Sequence, residues 1–121
     1  MKTIKIKKNS QPPMPVMVKY CDTFLDRFMG LMFSSELGPM DGIVLVEKKE
    51  SQVNTAIHMM FVNYDITVLW LDKNKKIVDK IIAKRWITIH KPVMPAQYVV
   101  ELHKSRFDDY AVGEQLIFDE T

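Results

Sequence analysis

The chain of 121 residues has little cysteine and little glycine. Its lone cysteine, Cys21, excludes an intramolecular disulfide framework and a structural zinc site built from four cysteines. Its four glycines form no glycine-rich phosphate loop. No apolar run reaches the about 20 residues that a helix needs to cross a bilayer, so no membrane span is predicted.

Charge is distributed unevenly along the chain. Residues 1–20 contain five lysines and no acid, whereas residues 107–121 contain five acids and no lysine or arginine. These opposite charges predict that the two terminal strands lie side by side, and the alternative is a basic arm that binds phosphate or anionic lipid. The net charge of +2 is too small to indicate a nucleic-acid partner.

Lysine alternates with isoleucine in residues 2–8. The alternation predicts an edge strand guarded by lysine. It is not the continuous apolar core of a signal peptide, so we expect a cytoplasmic location. We expect one domain over residues 1–121, in which residues 1–15 form a strand and a proline-rich connector and residues 16–118 form the core.

Apolar and polar residues alternate with a period of two along most of the chain. Predicted strands include Ile57–Val62, Ile66–Asp72 and Ile77–Ala83, and Asn74 is expected to take the positive φ in the turn before the third. Strands recur about every 8–12 residues. The pattern predicts a mainly β (α+β) fold: a small antiparallel β-barrel or rolled sheet of about seven or eight short strands, with one short N-terminal helix.

The N-terminal helix has clear boundary signals. Thr23 is a candidate N-cap, and Asp26 three residues later completes a capping box. Gly30 can end the helix in a left-handed conformation. A helix over Asp22–Met29 is therefore predicted, with its aromatic and methionine side chains on the sheet.

Five ordered motifs between about Val16 and Phe118 carry a family resemblance: Thr23-x-x-x-Arg27-x-x-Gly30-Leu31-Met32, Gly42-Ile43-Val44-Leu45, the stretch from His58 to Asp72, Tyr98-Val99-Val100-Glu101-Leu102, and Gly113-Glu114. Together they resemble the family catalogued as domain of unknown function 192. The resemblance implies a compact β-barrel-like fold with a short helix. It implies no reaction, and many relatives carry a secretion signal.

Three positions depart from the family pattern. Relatives commonly have proline where Asp65 stands, aspartate where Thr67 stands and glycine where Lys75 stands. A chemical role of that aspartate in relatives would be missing here. A left-handed lysine would cost about 1 kcal/mol, so the turn at Lys75 is expected to be rearranged.

Polar side chains on and beside the predicted His58 strand form the candidate site. We expect a cleft there, rimmed by Arg27, Tyr64, Asp65 and Glu101, that holds a small molecule or peptide. The acid of the Tyr98–Leu102 motif is expected to pair with Arg27. A metal held by Glu101, His103 and His58 is the competing interpretation, and an ordinary outward strand face is the simpler one.

No complete catalytic set, metal site or cofactor motif is evident in the sequence. The favoured hypothesis is therefore a non-enzymatic binding domain without a cofactor. One alternative is an interaction or accessory protein that uses a sheet edge or the basic N-terminal strand. Another is a hydrolase that uses Cys21 or a carboxylate with a histidine. Oligomeric state is not indicated by the sequence.

Overall fold

The computed structural model describes residues 2–8, 15–23, 26–27, 30–32, 34–86 and 89–120. Seven strands in these residues form one sheet: β1 (Thr3–Lys8), β2 (Val16–Cys21), β3 (Asp41–Ser51), β4 (Ile66–Leu71), β5 (Ile77–Ala83), β6 (Ala96–His103) and β7 (Leu116–Asp119). A 3-10 helix, Lys104–Asp109, joins β6 to the last strand.

The sheet order is β5-β4-β6-β3-β2-β1-β7. Its pairings are antiparallel except that β2 and β3 run parallel. The sheet curls so that its two outer strands meet at one end, where Ile77 N donates to Glu114 O at 2.8 Å and Gly113 N donates to Ile77 O at 2.8 Å. The predicted rolled β-sheet of about seven strands is confirmed as a curled half-barrel.

The two terminal strands are neighbours, as the charge pattern predicts. β1 pairs antiparallel with β7, and Lys2–Glu120, Lys7–Asp119 and Lys8–Glu114 form ion pairs at 2.6, 3.3 and 3.1 Å. The prediction of an edge strand at the N-terminus is wrong, because β1 lies between β2 and β7. Lys7 and Lys8 of β1 pair with Asp119 and Glu114 and do not guard a free edge.

Both faces of the sheet are buried over its centre. All seven strands contribute to the concave core, whose buried side chains are Ile4, Ile6, Val16, Val18, Val44, Leu69, Leu71, Ile77, Val100, Leu102, Tyr110 and Leu116. A second cluster, on what we call the covered face, includes Ile43, Ile66, Val68, Trp70 and Val99 together with residues of the segment 52–65. β4 lies between these two layers, which explains why it is apolar throughout.

The predicted strand Ile57–Val62 is wrong. Only Ile57 makes a ladder contact, an isolated bridge to His90, and Phe61 has a φ of 61°. Ile57, Met59 and Val62 are buried against the covered face. The apolar pattern therefore comes from a segment that packs one side onto a sheet, without strand pairing along its length.

The start of the N-terminal helix follows the prediction in the part that the structure describes. Asp26 and Arg27 are helical, and Asp26 N donates to Thr23 Oγ1 at 3.1 Å. Gly30 N donates to Asp26 O, and Gly30 has a φ of 46°. The glycine thus ends the helix as a left-handed cap. Residues 24–25 and 28–29, which carry most of the predicted apolar face, lie outside the described residues.

The predicted return strand Ile77–Ala83 is confirmed with the same bounds as β5. The residue with positive φ in the preceding turn is Lys75, at 65°, so the prediction for Asn74 is wrong. Asp72 Oδ1 accepts from Asn74 N at 2.9 Å and from Lys76 N at 3.0 Å. These bonds fix the turn with Lys75 at the position where the resemblance implies glycine.

Candidate ligand-binding site

The segment 52–65 forms a roof over the covered face of the sheet. Trp70 Nε1, from β4, donates to Thr55 O at 2.7 Å and ties the roof to the sheet. The hydroxyls of Tyr64 and Ser34 lie 2.8 Å apart and tie the roof to the segment that follows the helix. Both contacts are at least partly buried, so the roof has fixed anchors at its two ends.

A cavity of about 380 Å³ lies between this roof, the end of the helix and the sheet. Its walls are mostly apolar and carry a few polar side chains. The lining residues are Arg27, Gly30, Leu31, Met32, Leu45, Glu47, Asn54, Ala56, Ile57, His58, Met59, Val62 and Glu101. Size and lining are those of a site for a small molecule, in which apolar walls surround a small number of polar groups.

Glu101 is the buried acid of the cavity. It stands on β6 between two apolar cross-strand neighbours, Ile43 on β3 and Val68 on β4. The residue is only 5% exposed, and within the described part of the chain its carboxylate has neither an ion pair nor a hydrogen-bond donor. Burial raises the pKa of this carboxyl to about 7. The acid can therefore take either protonation state near neutral pH.

Arg27 is held by a different acid from the predicted one. Its Nε lies 2.7 Å from Glu47 Oε2, and one terminal nitrogen donates to the carbonyls of Asp22 and Val46 at 2.8 and 3.1 Å. The predicted pairing of Arg27 with Glu101 is therefore wrong. Arg27 and Glu47 form a partly buried ion pair on the cavity wall. The carboxyl group of Glu101 is therefore available to a ligand in the cavity.

The structure brings three of the five predicted site residues together and separates the other two. His58 lines the cavity with Arg27 and Glu101, although it lies in the roof and not in a strand. Tyr64 is buried and serves as the roof anchor described above. Asp65 lies outside the cavity lining.

Asp65 has its own set of partners. It accepts a hydrogen bond from Arg85 N at 2.9 Å and pairs with the side chains of Arg85 and Lys84 at 3.4 and 3.7 Å. The backbone hydrogen bond from Arg85 and the two cations lower the pKa of Asp65. The residue thus connects the end of the roof to the segment that follows β5.

Glu47 is the site residue that sequence reasoning missed. The polar composition of residues 47–51 is typical of a solvated turn, but β3 continues to Ser51. The sequence does carry a signal for Glu47, because Ile43, Leu45 and Glu47 are spaced two residues apart and therefore fall on the same face of a continuing strand. The Arg27 partner could have been found by extending that pattern.

Cys21 and His103, the other groups considered for chemistry, serve different roles. Burial raises the pKa of the Cys21 thiol to about 11, so little thiolate forms at neutral pH. His103 Nδ1 accepts from Ser105 N at 3.1 Å and caps the 3-10 helix.

Among the described residues no three of His, Cys, Asp and Glu are arranged to hold a metal ion, so the proposed set of Glu101, His103 and His58 is not assembled. Within the same part of the chain, no helix is long and apolar enough to span a membrane.

Comparison with known proteins supports the resemblance seen in the sequence. The model of the family DUF192, described as Uncharacterized ACR, matches residues 4–118. UPF0127 protein TK1120 of Thermococcus kodakarensis is 42% identical over 84 residues, which are 69% of this chain and 52% of the relative. UPF0127 protein PF1050 of Pyrococcus furiosus is 36% identical over 84 residues, 69% of each chain. The chain spans about half the length of the Thermococcus relatives it matches.

Two solved structures share the fold. A candidate transcription regulator from Sinorhizobium meliloti 1021 superposes with a TM-score of 0.84 at 17% identity, covering 96% of this chain and 92% of that protein. A protein of unknown function from Novosphingobium aromaticivorans DSM 12444 has a TM-score of 0.76 at 14% identity and covers 95% of this chain and 83% of that protein. At these identities the likeness establishes the architecture alone.

Proposed function

The chain belongs to the DUF192 family, and we propose that it is a non-enzymatic β domain that binds a small ligand in the cavity lined by Arg27, His58 and Glu101. The observation that carries this proposal is the buried carboxyl of Glu101. An ionised acid between apolar side chains costs free energy unless a partner compensates it. A ligand group in the cavity is in position to supply that compensation.

The dimensions of the cavity support a small molecule over a peptide. A volume of about 380 Å³ is near the lower end of the range for small-molecule sites. The roof segment forms one wall of the cavity, and its anchors at Thr55 and Tyr64 hold it against the sheet.

The alternatives that use Cys21 and the basic N-terminal strand have weaker support. A cysteine hydrolase needs a thiolate, and burial keeps the Cys21 thiol protonated. A basic N-terminal arm needs free lysines, whereas Lys2, Lys7 and Lys8 are paired with acids near the C-terminus. The cytoplasmic location stays a prediction from the sequence.

A fragment screen followed by NMR tests the proposal. Fragments of up to about 15 non-hydrogen atoms are added to ¹⁵N-labelled protein. Hits are expected to shift the amide signals of Gly30, His58 and Glu101. The variant Ala56→Phe fills the cavity from the roof and should abolish these shifts, whereas Ala111→Phe, at an exposed position, should keep them.

The paired variants make the outcome decisive. Each variant is first checked for an unchanged fold by its amide spectrum. Fragments that bind Ala56→Phe as well as the unaltered protein would place their site elsewhere and contradict the proposal. A screen in which no fragment shifts any cavity signal would contradict it as well.

A further inference from the structure

We infer that the ligand is a small organic cation, an alkylammonium group on an apolar body, whose ammonium binds the carboxylate of Glu101. The inference rests on the proposed function, since it names the ligand class for the same cavity. It follows from the charges of the cavity wall, from the apolar lining and from the position of the acid.

The ionic groups of the cavity leave one charge without compensation. Arg27 and Glu47 neutralise each other at 2.7 Å. Glu101 has no such partner in the described part of the chain, although it is 95% removed from solvent. With Glu101 ionised and Arg27 paired with Glu47, the Glu101 carboxylate is the charge that lacks a counter-ion in this part of the chain. A monovalent cation is the ligand that brings this charge to zero.

An anionic ligand would meet two obstacles in the same cavity. Its natural partner, Arg27, already donates to Glu47 and to two backbone carbonyls. Its charge would also lie in the cavity that holds Glu101, where like charges repel with little screening. Both effects oppose binding of a carboxylate or phosphate, and both favour an ammonium group.

The rest of the lining specifies the body of the ligand. Leu31, Leu45, Ile57, Met59 and Val62 surround the acid with apolar surface. These side chains can bury an alkyl chain or a ring, and burial contributes about 25 cal/mol for each Å² of apolar surface removed from water. An ammonium ion without an apolar body would leave this surface unused.

Binding of a cation should be coupled to the loss of a proton from Glu101. The acid titrates near neutrality because its surroundings are apolar, and a bound ammonium stabilises its ionised form. The other titratable groups near it are the Cys21 thiol and the Tyr64 hydroxyl, both uncharged at neutral pH, and His58, Arg27 and Glu47 in the cavity wall. Affinity for the cation should therefore fall about tenfold between pH 8 and pH 6.

Three probes with the same number of carbon atoms test the ligand class: hexylammonium, hexanol and hexanoate. Each is titrated into ¹⁵N-labelled protein at pH 8, and the cavity amides report binding. Hexylammonium is expected to bind at least about tenfold more tightly than hexanol, because a charge-assisted hydrogen bond replaces a neutral one. Hexanoate is expected to bind more weakly than hexanol.

Two variants test whether Glu101 is the source of the preference for the cation. Glu101→Gln keeps the shape of the side chain and removes its charge, so it should bind hexylammonium no more tightly than hexanol and lose the pH dependence. Glu36→Gln, which removes a half-exposed acid outside this cavity, should keep the preference for the cation. The amide spectrum and the thermal transition of each variant verify that it is folded.

The possible results separate the ligand class from the proposed function. Equal binding of all three probes, or tightest binding of hexanoate, would overturn the cation inference while leaving a functional cavity. A preference for hexylammonium that survives in Glu101→Gln would overturn it too, because the charge would then lie elsewhere. If no probe of any charge and no fragment shifts a cavity amide, both the inference and the proposed function fail.

Discussion

The guanidinium of Arg27 is paired with Glu47, with 2.7 Å between Nε and Oε2, and Glu101 in the same cavity has no cation of its own in the described residues. Two acids thus share one wall with a single arginine, and the arginine is committed to one of them. This division of partners gives Glu47 a structural role and gives Glu101 the free carboxyl on which the proposed binding depends.

Double-mutant cycles should measure how strongly Arg27 is coupled to Glu47 and to Glu101. The cycle of Arg27→Met with Glu47→Gln should give a coupling free energy of about 1–3 kcal/mol, because the pair is close and partly buried. The cycle of Arg27→Met with Glu101→Gln at pH 8 should give less than half of that value. Urea unfolding of the four variants in each cycle provides the numbers, and a larger coupling to Glu101 would contradict the assigned pairing.

The free energy of unfolding should fall as the pH rises from 4.5 to above 7, because Glu101 is buried. Burial raises the pKa of Glu101 from 4.5 in the unfolded chain to about 7, so the folded state binds more protons than the unfolded state between these values. The stability linked to Glu101 is present in full below pH 4.5 and is lost as the pH rises through 7. The total change is about 3 kcal/mol.

The variant Glu101→Gln isolates this contribution. Its free energy of unfolding should exceed that of the unaltered protein by less than about 1 kcal/mol at pH 5 and by up to about 3 kcal/mol at pH 8. Denaturant unfolding at each pH measures the difference. A difference that does not change between pH 5 and pH 8 would show that Glu101 is solvated as an ordinary carboxylate.

The thiol of Cys21 should react slowly. Its raised pKa leaves little thiolate at pH 8, and the residue is 3% exposed. Alkylation by iodoacetamide, followed by mass spectrometry, should be at least about tenfold slower than for the same protein in urea. Fast alkylation of the folded protein would revive the cysteine-hydrolase alternative.

The close packing of β3 against β6 at Gly42 should make this position intolerant of a side chain. A Cβ there would lie 2.7 Å from the Glu101 carbonyl oxygen and 2.6 Å from Leu102 Cδ2. The variant Gly42→Ala should therefore lose about 1–3 kcal/mol of unfolding free energy. Val112→Ala, at an exposed position, is the control and should change it by less than about 0.5 kcal/mol.

The sequence predicts those parts of the fold that depend on interactions between residues close together in the chain. β5 begins and ends where the sequence predicts it, at Ile77 and Ala83, directly after the lysine-rich turn. Thr23 and Gly30 mark the helix through capping chemistry that involves only neighbouring residues. The opposite charges of the termini predict the β1–β7 pairing because no other block of acids matches the five N-terminal lysines so well.

Other features depend on partners that are distant in sequence. The segment Ile57–Val62 has the alternation of a strand, but its apolar side chains cover a sheet face that is complete without it. The parallel pairing of β2 with β3 is likewise set by the path of the chain between them. In the structure Arg27, His58 and Glu101 line one cavity. The Arg27–Glu47 pair could be predicted only from the true length of β3.

Titration of the Glu101 side chain by NMR tests the central claim most directly. The carboxyl carbon is followed in ¹³C-labelled protein from pH 4 to pH 9, and Glu101→Gln identifies its signal. A transition with a pKa of about 7, which moves to lower pH when hexylammonium is added, is the predicted result. A pKa near 4.5 that hexylammonium does not change would contradict the account.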